Sequence, residues 1–411
     1  MRRRRPVDPT ERPITTRPKP RILHLGPIPP PIEGGISAYL EGLLRSHLAT
    51  RFDLPTFDVR VARVYRRHRW LRALLTLRFV VGLLTLLRRR RPDLVHIHTS
   101  DFLGFWEKSL LAGPVRLHRI PFVMHLHGGS FDLFLKQLGQ VRAGWASRVL
   151  AAATSVVIPA GSWRPLLERF VPSERLEVVP NAIHCSDFAP APSRRSGQNV
   201  RMLFLGMVSA RKGLDELLQA LLELLRQGCR SFELDVVGDE EFHGELLRYR
   251  RLYHDAGLDD WVHFHGARIG PAKLHFLQRS QIFVLPSRSE SFGIANLEAM
   301  ACGLALISTR TGAIPEYLED GVHALLVEPG DAVGLARALR RLLEDAALRE
   351  RLGRAACERV RDYDWAQVAE RLGAVYARVL GIVEADCDAG TGAARRTPSA
   401  PPRSEAGDGT V

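Results

Sequence analysis

RILHLG (Arg21 to Gly26) and RMLFLG (Arg201 to Gly206) are near copies of one short text, 180 residues apart. Each is an apolar run of strand length closed by glycine. PIPPPIEGGISAYLEGLL follows the first, with Gly34-Gly35 just ahead of a helical pattern; MVSARKG and then LDELLQALLELL follow the second. A strand, a glycine loop and a helix form the opening unit of a Rossmann-like domain, in which glycine lets a ligand approach the backbone. A double glycine alone also reads as an ordinary turn. Two openings in 411 residues fit two domains, each large enough to bury its own core.

The text between the openings alternates strands with helices. Leu54 to Val64 reads as a strand, a long basic helix runs to about Arg91, and PDLVHIH (92–98) and PFVMHLH (121–127) read as buried strands ending in paired histidines. After Gly206, strands recur at FELDVVG, which ends at Gly238, and at WVHFHG, QIFVLPS, LALIS and HALLV. Such alternation implies parallel sheets, whose ligands gather beyond the carboxyl ends of the strands. His98 and His127 stand at such ends. APAPSRRSGQN (189–199) has linker composition.

PSRSESFGIANLEAMACG (286–303) follows the apolar run Ile282 to Leu285 and sets Glu290 and Glu298 on either side of Phe292-Gly293-Ile294. With a helix beginning near Phe292, Glu298 lies about two turns in. The N–H groups around Gly293 then face a cavity at a helix N-terminus, where the dipole favours a phosphate. Each carboxylate can accept charge-assisted bonds from vicinal hydroxyls, one from a sugar and the other from a ribose. A bare pair of glutamates at this spacing reads equally as two surface acids.

This segment, followed by Thr311-Gly-Ala-Ile-Pro-Glu316 and Glu319-Asp-Gly321, resembles the nucleotide-sugar site of retaining glycosyltransferases of family 4. The resemblance extends over roughly residues 21 to 385. It implies the GT-B fold, an α/β architecture of two Rossmann-like domains facing a central cleft, with the segment 363–385 returning as a helix onto the first. The expected divisions are a disordered basic arm (1–20), an acceptor domain (21–190), a linker (191–200), a nucleotide-sugar domain (201–362) and a disordered tail (386–411). It further implies that Glu298 holds the ribose and Glu290 the donor sugar. Lys212 and the N–H groups of Phe292, Gly293 and Ile294 would face the diphosphate. Gly34, Gly35, Gly206 and Gly238 would line the donor, and His127 would reach the donor sugar or the acceptor. The family pattern usually has arginine where Met207 stands, so half of the diphosphate clamp departs from it. Arg211 could substitute, or could be a solvated residue at a helix start.

The net charge of +13 is local. Residues 1–20 carry +5, residues 60–91 carry +11 and the tail −1, leaving −2 for everything else. That excludes the broad basic face of a nucleic-acid binder. Arginines around Trp70, Leu71, Leu74, Leu75, Phe79, Val80 and Val81 suit either an interfacial helix on anionic lipid or a core helix with a solvated face. Trp70 to Leu87, interrupted by Arg72 and Arg78, falls short of a spanning helix. Five scattered cysteines without a C-x-x-C pair and an N-terminus lacking an apolar signal run fit a cytoplasmic protein, peripheral on the inner membrane face if the basic helix meets lipid.

The expected partners are a nucleotide-diphosphate sugar and a sugar or lipid-linked acceptor. No cofactor is expected, and no metal, since the histidine pairs lack zinc-motif spacing. Same-face attack is the expected route, because no carboxylate is placed as a nucleophile. A GT-B phosphorylase or epimerase, and a noncatalytic nucleotide-sugar binding protein, are the competing readings.

Overall fold

A computed structural model describes residues 18–30, 34–60, 69–129, 131–190 and 199–382. Most of the arm and the linker, the arginines at 63, 66 and 67, and the whole tail expected at 386–411 lie outside the described residues. Among the described residues, twelve strands form two six-stranded parallel sheets. The first holds β1 (Ile22–Gly26), β2 (Thr56–Asp58), β3 (Leu94–Thr99), β4 (Phe122–Leu126), β5 (Ser155–Ile158) and β6 (Leu176–Val178), in the order β2-β1-β3-β4-β5-β6. The second holds β7 (Val200–Leu205), β8 (Phe232–Val237), β9 (Val262–Gly266), β10 (Ile282–Leu285), β11 (Ala305–Thr309) and β12 (Ala324–Val327), in the order β12-β11-β10-β7-β8-β9. β1, β3, β4, β5 and β10 are buried along their whole length, as strands covered by helices on both faces must be. β2 covers only three residues of the expected Leu54–Val64 strand, and 61–64 lie outside the described residues.

Each sheet reverses its winding once, between β1 and β3 in the first and between β7 and β10 in the second. A parallel sheet binds its ligand at such a reversal, because the two adjacent loops leave in opposite directions and open a crevice. Glu290 is in the loop after β10, Lys212 in the loop after β7, the Gly34-Gly35 pair follows β1, and Thr99 is the last residue of β3.

The helix Trp365–Leu380 packs on the first sheet's side of the molecule. Trp365 is buried against Tyr39, with ring centroids 4.9 Å apart, and Tyr376 donates to or accepts from His96 Nδ1 at 2.6 Å. A Cβ at Gly42 would run into the Trp365 indole, so glycine there sets how closely the helix Gly34–Arg45 can approach. The Asp364 carboxylate accepts from the Ala366 and Cys185 N–H groups, capping the returning helix and tying it to the first half at once.

The helix Arg69–Arg89 meets the length and composition needed to cross a membrane, contrary to the reading from its arginines. It nevertheless docks on the fold. Leu83 and Leu87 are fully buried, and Arg72 pairs with Glu107 of the helix Phe102–Leu117 at 2.7 Å. Trp70, Leu74, Leu77 and Val81, spaced to share one face, are all more than half exposed.

Parallel register brings five histidines together under the first sheet: His24, His96, His98, His125 and, at the carboxyl end of β4, His127. The first four have no exposure and His127 has 9%. Burial holds His24 and His127 down to about 3, and burial together with neighbouring imidazoles holds the other three well below 6.5. A histidine depressed in the folded state binds its proton more readily when unfolded. Its contribution is therefore fully present above pH 6.5 and is lost as the pH falls below that, by up to about 1.4 kcal/mol per pH unit for each ring. We predict that denaturant midpoints measured from pH 7.5 to 5.0 fall steeply below 6.5; a flat profile would show that the cluster opens to solvent in the folded state.

Candidate active site

The segment that carries Glu290 is fixed by backbone contacts on three sides. Thr309 Oγ1 donates to the Ser287 carbonyl at 2.6 Å, Tyr317 O–H to the Phe292 carbonyl at 2.6 Å, and the Ala313 N–H to the Ser291 carbonyl at 3.0 Å. Gly293 closes the segment at φ 84°, a left-handed conformation open chiefly to glycine, and the helix Ile294–Ala301 starts immediately after it. The start is two residues later than the sequence spacing suggested, so Glu298 is the fifth helical residue, just over one turn in. The Phe292 side chain points inward and stacks on Tyr317, leaving only its backbone for a ligand.

Lys212 lies opposite Glu290, held by the loop after β7. Gly213 at φ 80° ends that loop, and the helix Leu214–Arg226 follows. The Lys212 ammonium and the Glu290 carboxylate form an ion pair, with side chains 11% and 10% exposed. Arg211 is half-buried and paired. Its Nε bonds both carboxylate oxygens of Glu241 at 2.8 and 3.1 Å, and its Nη1 donates to the Ser289 carbonyl at 3.1 Å. Glu298 pairs with Lys273 at 2.7 Å. Gly206 and Gly238 touch each other: a Cβ at Gly238 would strike the Gly206 carbonyl, so close approach of the two strand ends explains glycine there without a ligand.

The first half closes over this arrangement. The place of a Gly35 Cβ is 3.9 Å from Ile294 Cδ1, whereas the Gly34 Cβ place has no neighbour within 4 Å. Gly129, two residues beyond His127, faces the Ser291 N–H and the Arg211 guanidinium, and its carbonyl accepts from Ser289 Oγ at 2.6 Å. Glu316 spans the cleft to take the Gly161 and Ser162 N–H groups at 2.9 and 2.8 Å. Thus Lys212, Glu290, Arg211 and the Gly129 loop line one space, with Gly35 and the start of the Ile294–Ala301 helix beside it. Glu298 stands further along that helix.

His98 and His127 bond each other through Nδ1 and Nε2 at 3.0 Å. Lys273, Glu241, Ser289 and Glu316 were not singled out from the sequence. Their roles depend on partners 25 to 160 residues away; Glu316 alone had a signal, the Thr311–Glu316 motif.

Residues 187–359 match the family described as Glycosyl transferases group 1, and residues 36–187 match Glycosyltransferase Family 4. A phosphatidyl-myo-inositol mannosyltransferase of Mycobacterium leprae is 30% identical over 298 residues, covering 70% of this chain and 74% of that protein. A D-inositol 3-phosphate glycosyltransferase of an Arthrobacter species is 28% identical over 309 residues, covering 69% of this chain and 70% of the relative. Among solved structures, sucrose-phosphate synthase of Thermosynechococcus elongatus superposes with a TM-score of 0.77 at 20% identity, over 89% of this chain and all of that one. Anabaena HepE in complex with UDP-glucose does so with 0.69 at 18%, over 87% and 99%. This chain therefore belongs to the group 1 glycosyltransferases of the family 4 type and is an enzyme of the GT-B fold.

Proposed function

We propose that the enzyme transfers a sugar, with retention of configuration, from a nucleotide diphosphate to a hydroxyl of a sugar or lipid-linked acceptor. The observation that carries this reading is the near-buried Lys212–Glu290 pair at the reversal of the second sheet, beside the start of the Ile294–Ala301 helix. The pair keeps a fixed cation where a diphosphate would depart and a fixed carboxylate where a sugar would lie. When the donor enters, its phosphate oxygens replace the carboxylate as partner of Lys212, and Glu290 turns to the sugar hydroxyls. Lys212 and the first-turn N–H groups then stabilise the leaving charge as it forms.

Arg211 reaches the same cleft through Ser289 and beside Gly129, supplying the cation that Met207 does not. Glu298 takes the ribose, exchanging Lys273 for hydroxyls. His127 meets the donor sugar or the acceptor. Glu290 is taken up by the sugar hydroxyls and Glu298 by the ribose, so neither serves as a covalent nucleophile. The acceptor hydroxyl accordingly attacks on the face from which the diphosphate leaves and passes its proton to that phosphate. UDP in a structural neighbour supports a nucleotide-sugar donor, and the inositol phosphate and phosphatidyl-inositol named for the relatives support a polyol or lipid-linked acceptor.

The acceptor half also carries a surface suited to lipid. Trp70, Leu74, Leu77 and Val81 are exposed on one face of the Arg69–Arg89 helix, Leu103, Leu110 and Leu117 are exposed on its neighbour, and Arg88 to Arg91 are exposed at its end. Apolar side chains with flanking arginines bind an anionic interface through both terms together.

In calorimetric titration with UDP, Glu298→Ala should lose about 1.5 to 3 kcal/mol of affinity, while Glu290→Ala should chiefly lower kcat; unchanged UDP affinity in Glu298→Ala would refute the ribose assignment. Exhaustive chelation should leave turnover intact, and loss reversed by a single divalent ion would instead place a metal on the diphosphate. In flotation, the protein should rise with anionic vesicles and not with neutral ones, and Leu74→Glu/Leu77→Glu should stay at the bottom; equal behaviour with both vesicle types would remove the lipid surface.

A further inference from the structure

The five histidines form two layers of imidazoles. In one, His24 Nδ1 meets His98 Nε2 at 3.1 Å and His98 Nδ1 meets His127 Nε2 at 3.0 Å, with ring planes 21° and 26° apart. In the other, His125 Nδ1 meets His96 Nε2 at 3.2 Å, and His96 Nδ1 meets the Tyr376 hydroxyl. The layers lie face to face, His96 on His98 at 4.1 Å and 14°, His125 on His127 at 3.9 Å and 24°.

Two sets of three rings bring nitrogens near enough for an ion: His24, His96 and His98, and His98, His125 and His127. Each set contains one of the face-to-face pairs. Stacked imidazoles have lone pairs in nearly parallel planes, which do not converge on one point, whereas tetrahedral coordination needs them to converge. The short N···N contacts within each layer are therefore hydrogen bonds.

Counting protons along the first layer settles their direction. Three neutral rings carry three protons, and the two N···N bonds use one each. The third proton sits at an end of the row, on His24 Nε2 or on His127 Nδ1. His24 Nε2 is fully buried and has no partner, and a buried orphan N–H is rarer than a buried orphan acceptor. The end of lower cost is His127, the one ring of the row with any exposure. Every ring then donates from Nδ1, towards His127. Around this row stand Tyr39, whose ring centroid is 4.9 Å from that of His127, and the imidazoles of the second layer; among the described residues no carboxylate bonds to any of the five rings.

We propose that His24 and His98 are positioning residues that hold His127 as its Nδ1–H tautomer, so that it offers the cleft a hydrogen-bond donor and not a base. The inference rests on the reading of His127 as the histidine that meets the substrates. A donor N–H there can bond a hydroxyl oxygen of the donor sugar or acceptor, while the acceptor's proton goes to the leaving phosphate.

The test is the tautomer of His127 in the full-length enzyme labelled with 15N-histidine, read from two-bond 15N–1H correlations and assigned by the signal lost in His127→Gln. The expected result is Nδ1–H in the wild type and loss of the single tautomer in His98→Leu. His98→Asn, whose amide nitrogen stands near the place of Nδ1, should restore both the tautomer and a kcat/KM lowered at least tenfold in His98→Leu. Where His98→Leu fails to fold, His24→Leu makes the same comparison one ring further from the cleft. An Nε2–H signal for His127 in the wild type overturns the proposal, as does one equivalent of bound metal released in His98→Leu. The wild-type tautomer is read without substrate, so it fails or stands separately from the assignment of His127 to the substrates, which donor-induced shifts of the same signal address.

Discussion

A lysine and a glutamate, each about one-tenth exposed, can share a protein interior only as a pair, and this condition governs the whole cleft. Removing one partner leaves the other's charge buried without compensation, which costs several kcal/mol, whereas the intact pair is worth far less than that in net stability. The Lys212–Glu290 contact is thus a weak source of net stability, and the proposed function makes it a store of two charges ready for exchange. The backbone serves the same end. Gly213 and Gly293 take left-handed conformations at the ends of their loops, and the loops leave β7 and β10 on either side of the sheet's reversal.

The same logic recurs at each candidate contact with the donor. Glu298 is held by Lys273 and Arg211 by Glu241, so each charged group is paired within the protein. A donor that carries phosphates and vicinal hydroxyls offers substitutes for all of these partners. On the proposed assignment, a ligand that displaced Glu290 from Lys212 without bringing phosphates would strand Lys212, and one without the sugar would strand Glu290. On that assignment, selectivity for the whole nucleotide sugar would come from the penalty for leaving buried charges unmatched as well as from the bonds that the donor makes.

The buried parallel strands were legible because each is a short apolar run next to a glycine or a turn, and the repeated RILHLG and RMLFLG marked the two halves. Local text served less well where the outcome depended on distant partners. The helix after Gly293 begins two residues late because Tyr317 and Asn296 hold the turn in place, and nothing within 286–303 reveals Tyr317. The Arg69–Arg89 helix looked too charged to count as apolar; one of its arginines is neutralised by Glu107, an acid outside the helix. The histidines appeared as two separate pairs, and His24 drew no attention, since only the order β1-β3-β4 places it next to His98.

The two halves are joined very unequally at the two sides of the cleft. Behind it, Ile183 and Asp364 form a parallel bridge, the Trp365 N–H donates to the Ile183 carbonyl, and Asp364 takes the Cys185 N–H. Across its mouth, the described hydrogen bonds are those of Glu316 to Gly161 and Ser162 and of Ser289 to Gly129. These involve exposed or part-buried groups that water can satisfy, so each is worth about 1 kcal/mol net or little more. The bonds behind the cleft are joined by the burial of Trp365 against Tyr39, and apolar burial of that size outweighs any one of the bonds at the mouth. The contacts across the mouth are therefore the ones whose release costs least, while the bridge of Ile183 to Asp364 and the buried Trp365 hold the helix Trp365–Leu380 on the first half.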